Sequence, residues 1–526
     1  MTTVLERLAK NDPTLTKLKL VQVPEHYYDD PDDENAETCW GRLLETIRHN
    51  TTVTYVLLER HFVRSLSLDQ WVAVLKAIGQ MQALEEIEIW SVRVPLKELC
   101  EALQSSPKLA RLGLGFVTLL GDLNAEALRG HPTLKNVYLS DFRLSEVGAS
   151  LNSLFEALSE CPQMEYIELF QYQQEETPFT GVGLAKLLQS ESLQHLTLRR
   201  MGLTALVVSE LAQNLVDGNR HSNHHRLRRH KSHLRVLNLN ENLLGDTGCA
   251  ALGEALEHNH ELLELNLRKN QITPTGCLQL AHSLTQNIRL EKLNLACNPM
   301  EDVGARALAV VLQLHPTLKT LELHRTHLTD LGCRYLAEAL KHNTALVNLD
   351  VSFNDITEAA YVDVAEALKV NHTLKNINIQ VNKKMKLQAC EALLSMVKEN
   401  YALESVSTLM RVRFEPSKYH QFEDLLHQMN TYLRLNHAGR ERLLRGDATP
   451  QEWASSLLAM HDDLNGLYYL MQANPALCCH MMTRVGVLDR KNVATPVVVD
   501  SLATPQVSSI DTSTMAIIPN CLPIVR

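Results

Sequence analysis

Apolar and polar positions along the C-terminal half of this chain repeat with one fixed period, the spacing of 28 that also separates Asn270 from Asn298. Leu234-Leu237-Leu239 is followed at that spacing by Leu262-Leu265-Leu267, Leu290-Leu293-Leu295, Leu318-Leu321-Leu323, Leu346-Leu349-Val351 and Leu374-Ile377-Ile379. Apolar residues at the first, fourth and sixth places alternate with exposed polar ones, which predicts a short strand in every unit. The stretch from Asp246 to Asn259 then sets apolar residues at i, i+3, i+4 and i+7, which predicts a helix ended by Asn. The same layout recurs from Pro274 to Asn287, Asp302 to His315, Asp330 to Asn343 and Glu358 to Asn371. A fixed period of this length means a solenoid and directs attention to exposed faces before any catalytic pocket.

Eight places after the first Leu of each unit stands an Asn: Asn242, Asn270, Asn298, Asn354 and Asn382, with Thr326 breaking the series. An amide can both donate and accept where the chain turns inward, so Asn is expected to satisfy backbone groups that one Thr hydroxyl cannot. Cys249, Cys277 and Cys333 share a helix position that Ala305 fills in the unit between them. Exchange with Ala marks a small buried place, so these thiols read as core and not as disulfides. The glycines just before that position, Gly248, Gly276, Gly304 and Gly332, are expected to let the helix start approach the strand.

Upstream the pattern is looser. Strands are predicted to begin at Leu15, Val53, Leu84, Leu109, Leu134, Met164 and Leu193, with one more at Leu403, making about fourteen units. The steps from Leu84 to Leu109 and from Leu109 to Leu134 fall short of the period, while those from Leu15 to Val53 and from Leu193 to Leu234 exceed it. The longer steps place insertions in loops at the edge of the solenoid. The consensus L-x-x-L-x-L-x-x-N resembles that of leucine-rich repeats, and a strand with a full helix in each unit is similar to their ribonuclease-inhibitor-like class. That resemblance implies an α/β horseshoe with a parallel sheet on the concave side and helices outside, covering residues 1–410. Beyond it the period is lost. Phe422 to Met429, Thr431 to Leu444, and a stretch from Pro450 to Met471 interrupted at Asn465-Gly466 predict a helical C-terminal cap over 411–482. The strings from Tyr432 to Arg440 and from Leu467 to Pro475 resemble the helical tail of diatom and heterokont leucine-rich-repeat proteins, which implies no activity. Residues 483–526 alternate Val, Thr, Ser and Pro without a period and are expected to be disordered.

Composition alters this picture little. A chain of 526 residues exceeds one ordinary domain, but a solenoid buries a continuous core at any length. The net charge of −10 gives no global attraction to nucleic acid or acidic membranes. With no long apolar run and no signal at the start, the expected location is cytoplasmic or nuclear, away from membranes.

Catalytic patterns are missing: no glycine-rich phosphate loop, G-x-S-x-G, C-x-x-C or H-E-x-x-H occurs. The expectation is therefore no enzyme, no cofactor, no metal and no small-molecule substrate. Asp29 to Glu34 has acids at calcium-loop spacing but lacks the required Gly and distal Glu, so it reads as a solvated loop. Asn50-Thr-Thr and Asn371-His-Thr fit the glycosylation pattern and read as turns. Gly218 to His233 gathers Arg226, Arg228 and Arg229 with His221, His224 and His225. Three readings stay open there: a flexible insertion, a basic docking or nuclear-targeting segment, and a metal site without a rigid frame or a carboxylate.

The open face of the sheet is left. Its regular units present Asn238, Asn266, Asn294, Glu322, Asp350 and Asn378 in one row, groups expected to hydrogen-bond a partner. The irregular units present Tyr55, Trp90, Tyr138, Tyr166 and Phe170 beside Glu86, Glu88 and Glu168. Aromatic anchors concentrate binding energy, so the expected function is a non-enzymatic scaffold that binds a protein partner through the sheet and edge loops. The alternative, implied by the repeat class, is a regulator of a small GTPase in which Arg64 or Arg220 reaches a phosphate.

Overall fold

The computed structural model describes residues 2–20, 34–104, 106–121, 124–145, 150–172, 180–216, 232–380, 382, 387–407 and 416–473. Most of the acidic loop, most of the basic insertion with its three arginines and Arg220, and the whole of the expected disordered tail lie outside the described residues. The chain divides into two compact units, Met1–Leu467 and Tyr468–Arg526, and the repeats belong to the first. Of the second, the described part is the end of the helix Leu464–Ala473.

Every strand that the leucine pattern predicts is present. Fourteen parallel strands form one sheet in chain order. The irregular half contributes Lys17–Leu20, Tyr55–Glu59, Glu86–Trp90, Arg111–Gly115, Asn136–Ser140, Tyr166–Phe170 and His195–Arg199, and three-residue strands follow from Val236–Asn238 to Ser405–Ser407. Register carries straight across: Tyr55 pairs with Glu86, Glu86 with Arg111, Arg111 with Asn136, Asn136 with Tyr166, and Tyr166 with His195. Side chains alternate between the two faces of a strand, so the pattern leucines point to the helices and form one core in which Leu237, Leu265, Leu293 and Leu321 are buried. Strands sit about 4.8 Å apart while packed helices need about 8–10 Å, so a strand-plus-helix stack bends toward its strands.

The asparagines work as the pattern predicts. Asn242 Nδ2 donates to Leu198 O of the preceding unit at 2.7 Å and to Leu239 O of its own at 2.9 Å. Its Oδ1 accepts from the N–H groups of Met201 and Leu203. Asn270 and Asn298 repeat the arrangement, and the N–H of Asn270 donates to Asn298 Oδ1, so each amide fastens two units. Thr326 turns its hydroxyl to Leu323 O in its own turn, and among the described residues its side chain reaches nothing in the preceding unit. A second ladder runs at the helix ends. Asn287 Nδ2 donates to Leu256 O and its Oδ1 accepts from Leu290 N, and Asn371 does the same with Leu340 O and Leu374 N. Asn50 occupies the equivalent place, donating to Leu8 O and accepting from Val53 N. The asparagines of both glycosylation-like sequences are thus buried turn residues.

The thiols of Cys249, Cys277 and Cys333 are buried, and burial pushes the Cys277 and Cys333 thiols up to about 12. The glycines have a different cause from the one expected. A Cβ on Gly276 would fall on Asp246 Oδ1, and one on Gly332 on Asp302 Oδ1. Those carboxylates belong to the preceding unit and hold the next helix start: Asp246 accepts from Thr273 N and Thr273 Oγ1, and Asp302 from Thr329 N and Oγ1. At Gly276 and Gly332 the close approach is therefore between neighbouring helix starts, whereas a Cβ on Gly248 or Gly304 would first meet Leu244 or Met300 of its own unit.

The irregular units hold an element that the pattern did not suggest. Arg93–Pro95, Thr118–Leu120 and Arg143–Leu144 form a second, three-stranded parallel sheet. The units beginning at Leu84 and Leu109 are a turn shorter than the regular ones, and their helices shrink accordingly to Leu96–Leu103 and the 3-10 turn Glu126–Leu128.

After the last strand, Pro416–His437 is one helix where the sequence predicts two, because the break falls at Gly439, whose φ of 86° suits glycine. Phe422, Met429 and Leu433 of this helix join the core. The interruption expected at Asn465-Gly466 lies earlier, between Pro450–Ala459 and Leu464–Ala473. Asn465 and Gly466 instead donate their N–H groups to Asp463 Oδ1 at the start of the last helix.

Candidate recognition face

Tyr55, Glu86, Glu88, Trp90, Tyr138, Tyr166, Glu168 and Phe170 all lie half-buried on the strand face opposite the core, since Ile87, Ile89, Ile167 and Leu169 between them are buried. Parallel register sorts them into three rows. Tyr55, Glu86 and Tyr166 fall in the first, Glu88, Tyr138 and Glu168 in the third, and Trp90 and Phe170 in the fifth. Arg226, Arg228 and Arg229 lie outside the described residues. Arg64 ends a one-turn helix and is exposed.

The acids in this set orient the rings. Tyr55 Oη and Trp90 Nε1 both donate to Glu88 Oε2, at 3.1 and 3.0 Å, and Tyr166 Oη donates to Glu168 Oε2 at 2.7 Å. Burial, then the charge of Glu88 and its hydrogen bond, push the Tyr55 phenol up to about 12. Tyr166 rises further for the same kind of reason and stays a neutral donor. Glu86 is held by Arg111 at 2.6 Å. Tyr166 also stacks between Tyr138 and His195, with centroids at 5.2 and 4.3 Å.

Trp90 needs a neighbour without a side chain. A Cβ on Gly115, its cross-strand partner, would lie 2.5 Å from the indole ring, so this glycine makes room for it. Trp90 then meets Phe116 at 5.9 Å, Phe116 stacks on Tyr172 at 5.8 Å, and Tyr172 meets the edge of Phe170 at 4.8 Å. Phe116 and Tyr172 are the most exposed rings of this strip, at 45% and 54%. Sequence reasoning missed both, because they follow the strand and escape its alternation. Phe116 has a left-handed φ of 53°, which aims it off the pleat.

At Phe170 the strip meets a charged cluster. The Arg199 guanidinium lies 4.7 Å over the Phe170 ring and donates to Glu241 Oε1 at 2.9 Å. Arg200, Arg268 and Lys269 also surround Glu241, at 3.7, 3.4 and 3.1 Å. Burial alone raises the Glu241 carboxyl, but hydrogen bonds from Arg199 and Lys269 and their charge outweigh it and hold the group below its ordinary value.

The polar row of the regular units is less available than expected. Asn238, Asn266, Asn294, Asp350 and Asn378 each accept the backbone N–H two residues on, and Asn294 also donates to Glu322. These side chains close the strand ends.

Residues 230–253, 258–281 and 286–309 match the family described as Leucine Rich repeat. The chain carries leucine-rich repeats. Solved structures similar to the repeats include leiomodin-1 actin-binding site 2, at 16% identity over 37% of this chain and 93% of that one, with a TM-score of 0.25. An internalin from Listeria monocytogenes matches at 14% over 70% and 89%, with a TM-score of 0.40. The yeast Rad7 and Elc1 complex matches at 14% over 79% and 92%, with a TM-score of 0.37. No curated protein matches the chain. No helix among the described residues is long and apolar enough to cross a membrane. No group of His, Cys, Asp or Glu among them is arranged to hold a metal ion.

Proposed function

We propose that this protein is a non-enzymatic recognition scaffold that binds a protein partner on the open face of its irregular repeats. The supporting observation is the continuous strip Trp90, Phe116, Tyr172 and Phe170, with its two middle rings, Phe116 and Tyr172, exposed beside polar groups already paired within the face. Exposed aromatic patches rimmed by polar groups are how soluble proteins present interaction sites. A helix of three to four turns in every regular unit, as in Pro274–Leu284 and Glu301–Leu314, favours the ribonuclease-inhibitor-like class of repeat. The helical segment after residue 410 is read as the cap that a solenoid core requires, and the cell interior as its location.

Truncating an aromatic anchor of this kind commonly costs about 2 kcal/mol of binding. In affinity capture from native extract, Trp90→Ala combined with Tyr172→Ala should lose the partners of the parent protein. A folded double variant that recovers them all in equal amount would overturn the reading.

A further inference from the structure

We propose that the cations around Glu241, joined to the aromatic strip, dock an acidic protein segment with an apolar side chain close to its carboxylates. This rests on the recognition reading above and specifies the partner's chemistry. Glu241 is 9% exposed at its side chain, whereas Arg199, Arg200, Arg268 and Lys269 are 40, 32, 30 and 58% exposed. One carboxylate thus lies beneath four cations and fixes their positions. Within these ion pairs the four cations outnumber their one carboxylate. Of the next acids along the sheet, Glu264 pairs with Lys292 at 2.5 Å, and Glu322 accepts from Asn294 while also feeling the charge of Arg268.

The backbone sets up this arrangement. Glu241 and Lys269 stand one period apart, each in the left-handed region just before a ladder asparagine, with φ of 59° and 56°. Arg199 and Arg268 fall in one outward row, two units apart with Asn240 between them, and Arg200 follows Arg199 with a φ of 54°. Three units therefore converge on one carboxylate.

Arg199 makes the junction with the apolar strip, because it covers Phe170, and Tyr172 and Phe116 continue from there. A segment lying along this line sets an apolar side chain on Phe116 and Tyr172 and its carboxylates on Arg200, Arg268 and Lys269. Charge-assisted bonds of arginine to carboxylate are the strong ones, and partial burial limits screening. A nucleic-acid strand is the competing polyanion. It fits less well because the aromatic end carries Glu86, Glu88 and Glu168, which repel phosphates.

The test uses the full chain and three labelled probes followed by fluorescence anisotropy. They are a short peptide with one tryptophan and a run of glutamates, its copy with glutamines, and an oligothymidine. The glutamate peptide should bind more tightly than its glutamine copy and lose that advantage in high salt. Arg200→Gln with Lys269→Gln should weaken it about tenfold and leave the glutamine copy unchanged. Circular dichroism melting confirms that this variant folds, and Lys269→Gln alone should give a smaller loss. Equal binding of both peptides overturns the inference while the aromatic reading stands. Failure of both peptides to bind, or tighter binding of the oligothymidine, overturns it as well. Loss of the glutamine copy in the Trp90 and Tyr172 variant reports on the aromatic strip separately.

Discussion

Asn436, on the helix Pro416–His437, donates its side-chain amide to the carbonyl of Asn400 at 2.8 Å, the bond that Asn400 itself makes to Asn371 one unit earlier. The repeat's helix-end ladder thus continues into a segment with no leucine period. Arg440 completes it. Fully buried, it donates to the carbonyls of Val397, Lys398 and Asn400 at the end of the helix Leu387–Glu399 and lies 4.3 Å over the Tyr401 ring. A cation suits a helix C-terminus, where carbonyls lack partners.

Asn436→Ala should therefore strip the Leu403 carbonyl of its side-chain donor, leave that of Asn400 to Arg440 alone, and lower stability by about 1–3 kcal/mol. Urea unfolding of the variant and its parent measures this directly. Arg440→Met, which keeps bulk but removes the donors, should be at least as damaging.

Thr326→Asn should stabilise the chain. The amide would reach the preceding unit as Asn298 reaches Leu267 O, adding about 0.5–1.5 kcal/mol in the same denaturation experiment. No change in midpoint would mean that the ladder bonds are not separable contributions.

His315 stands where the other regular units have Asn, and burial drives its imidazole down to about 4. The unfolded chain, with an ordinary value near about 6.5, takes the proton first. Its contribution to stability is whole above that pH and is lost as pH falls toward about 4. Thermal midpoints should drop more steeply between neutral and acid pH in the parent than in His315→Asn, in which nothing at this place titrates.

Gly115→Ala should displace Trp90, because the new methyl would lie 2.5 Å from its ring. Partner capture should fall with little loss of stability, and the indole fluorescence should shift to longer wavelength as the ring meets water. An unshifted spectrum would place Trp90 elsewhere.

These cases also show how far the sequence could be read. The strands and both asparagine ladders are legible because every unit solves one problem in one way, and repetition separates signal from accident. The aromatic positions Trp90 and Phe170 follow from strand alternation alone. Phe116 and Tyr172 do not, since each lies past the pleat. The cluster at Glu241 is not marked by the leucine pattern, although Glu241 and Lys269 stand one period apart. Its cations come from the two units that flank the one bearing Glu241, and the whole basic insertion lies between Arg200 and Glu241 in the chain. The extra sheet beginning at Arg93 was hidden by its brevity.

The joints between regular units have a last consequence. Because Asn242, Asn270 and Asn298 clasp their neighbours identically, removing one whole period should leave every clasp intact, while removing half a period severs them. The regular half then acts as a ruler graduated in whole repeats. Each graduation moves the C-terminal helices about 4.8 Å away from the aromatic end. The distance between the aromatic strip and those helices can thus change in whole repeats without altering the strip itself.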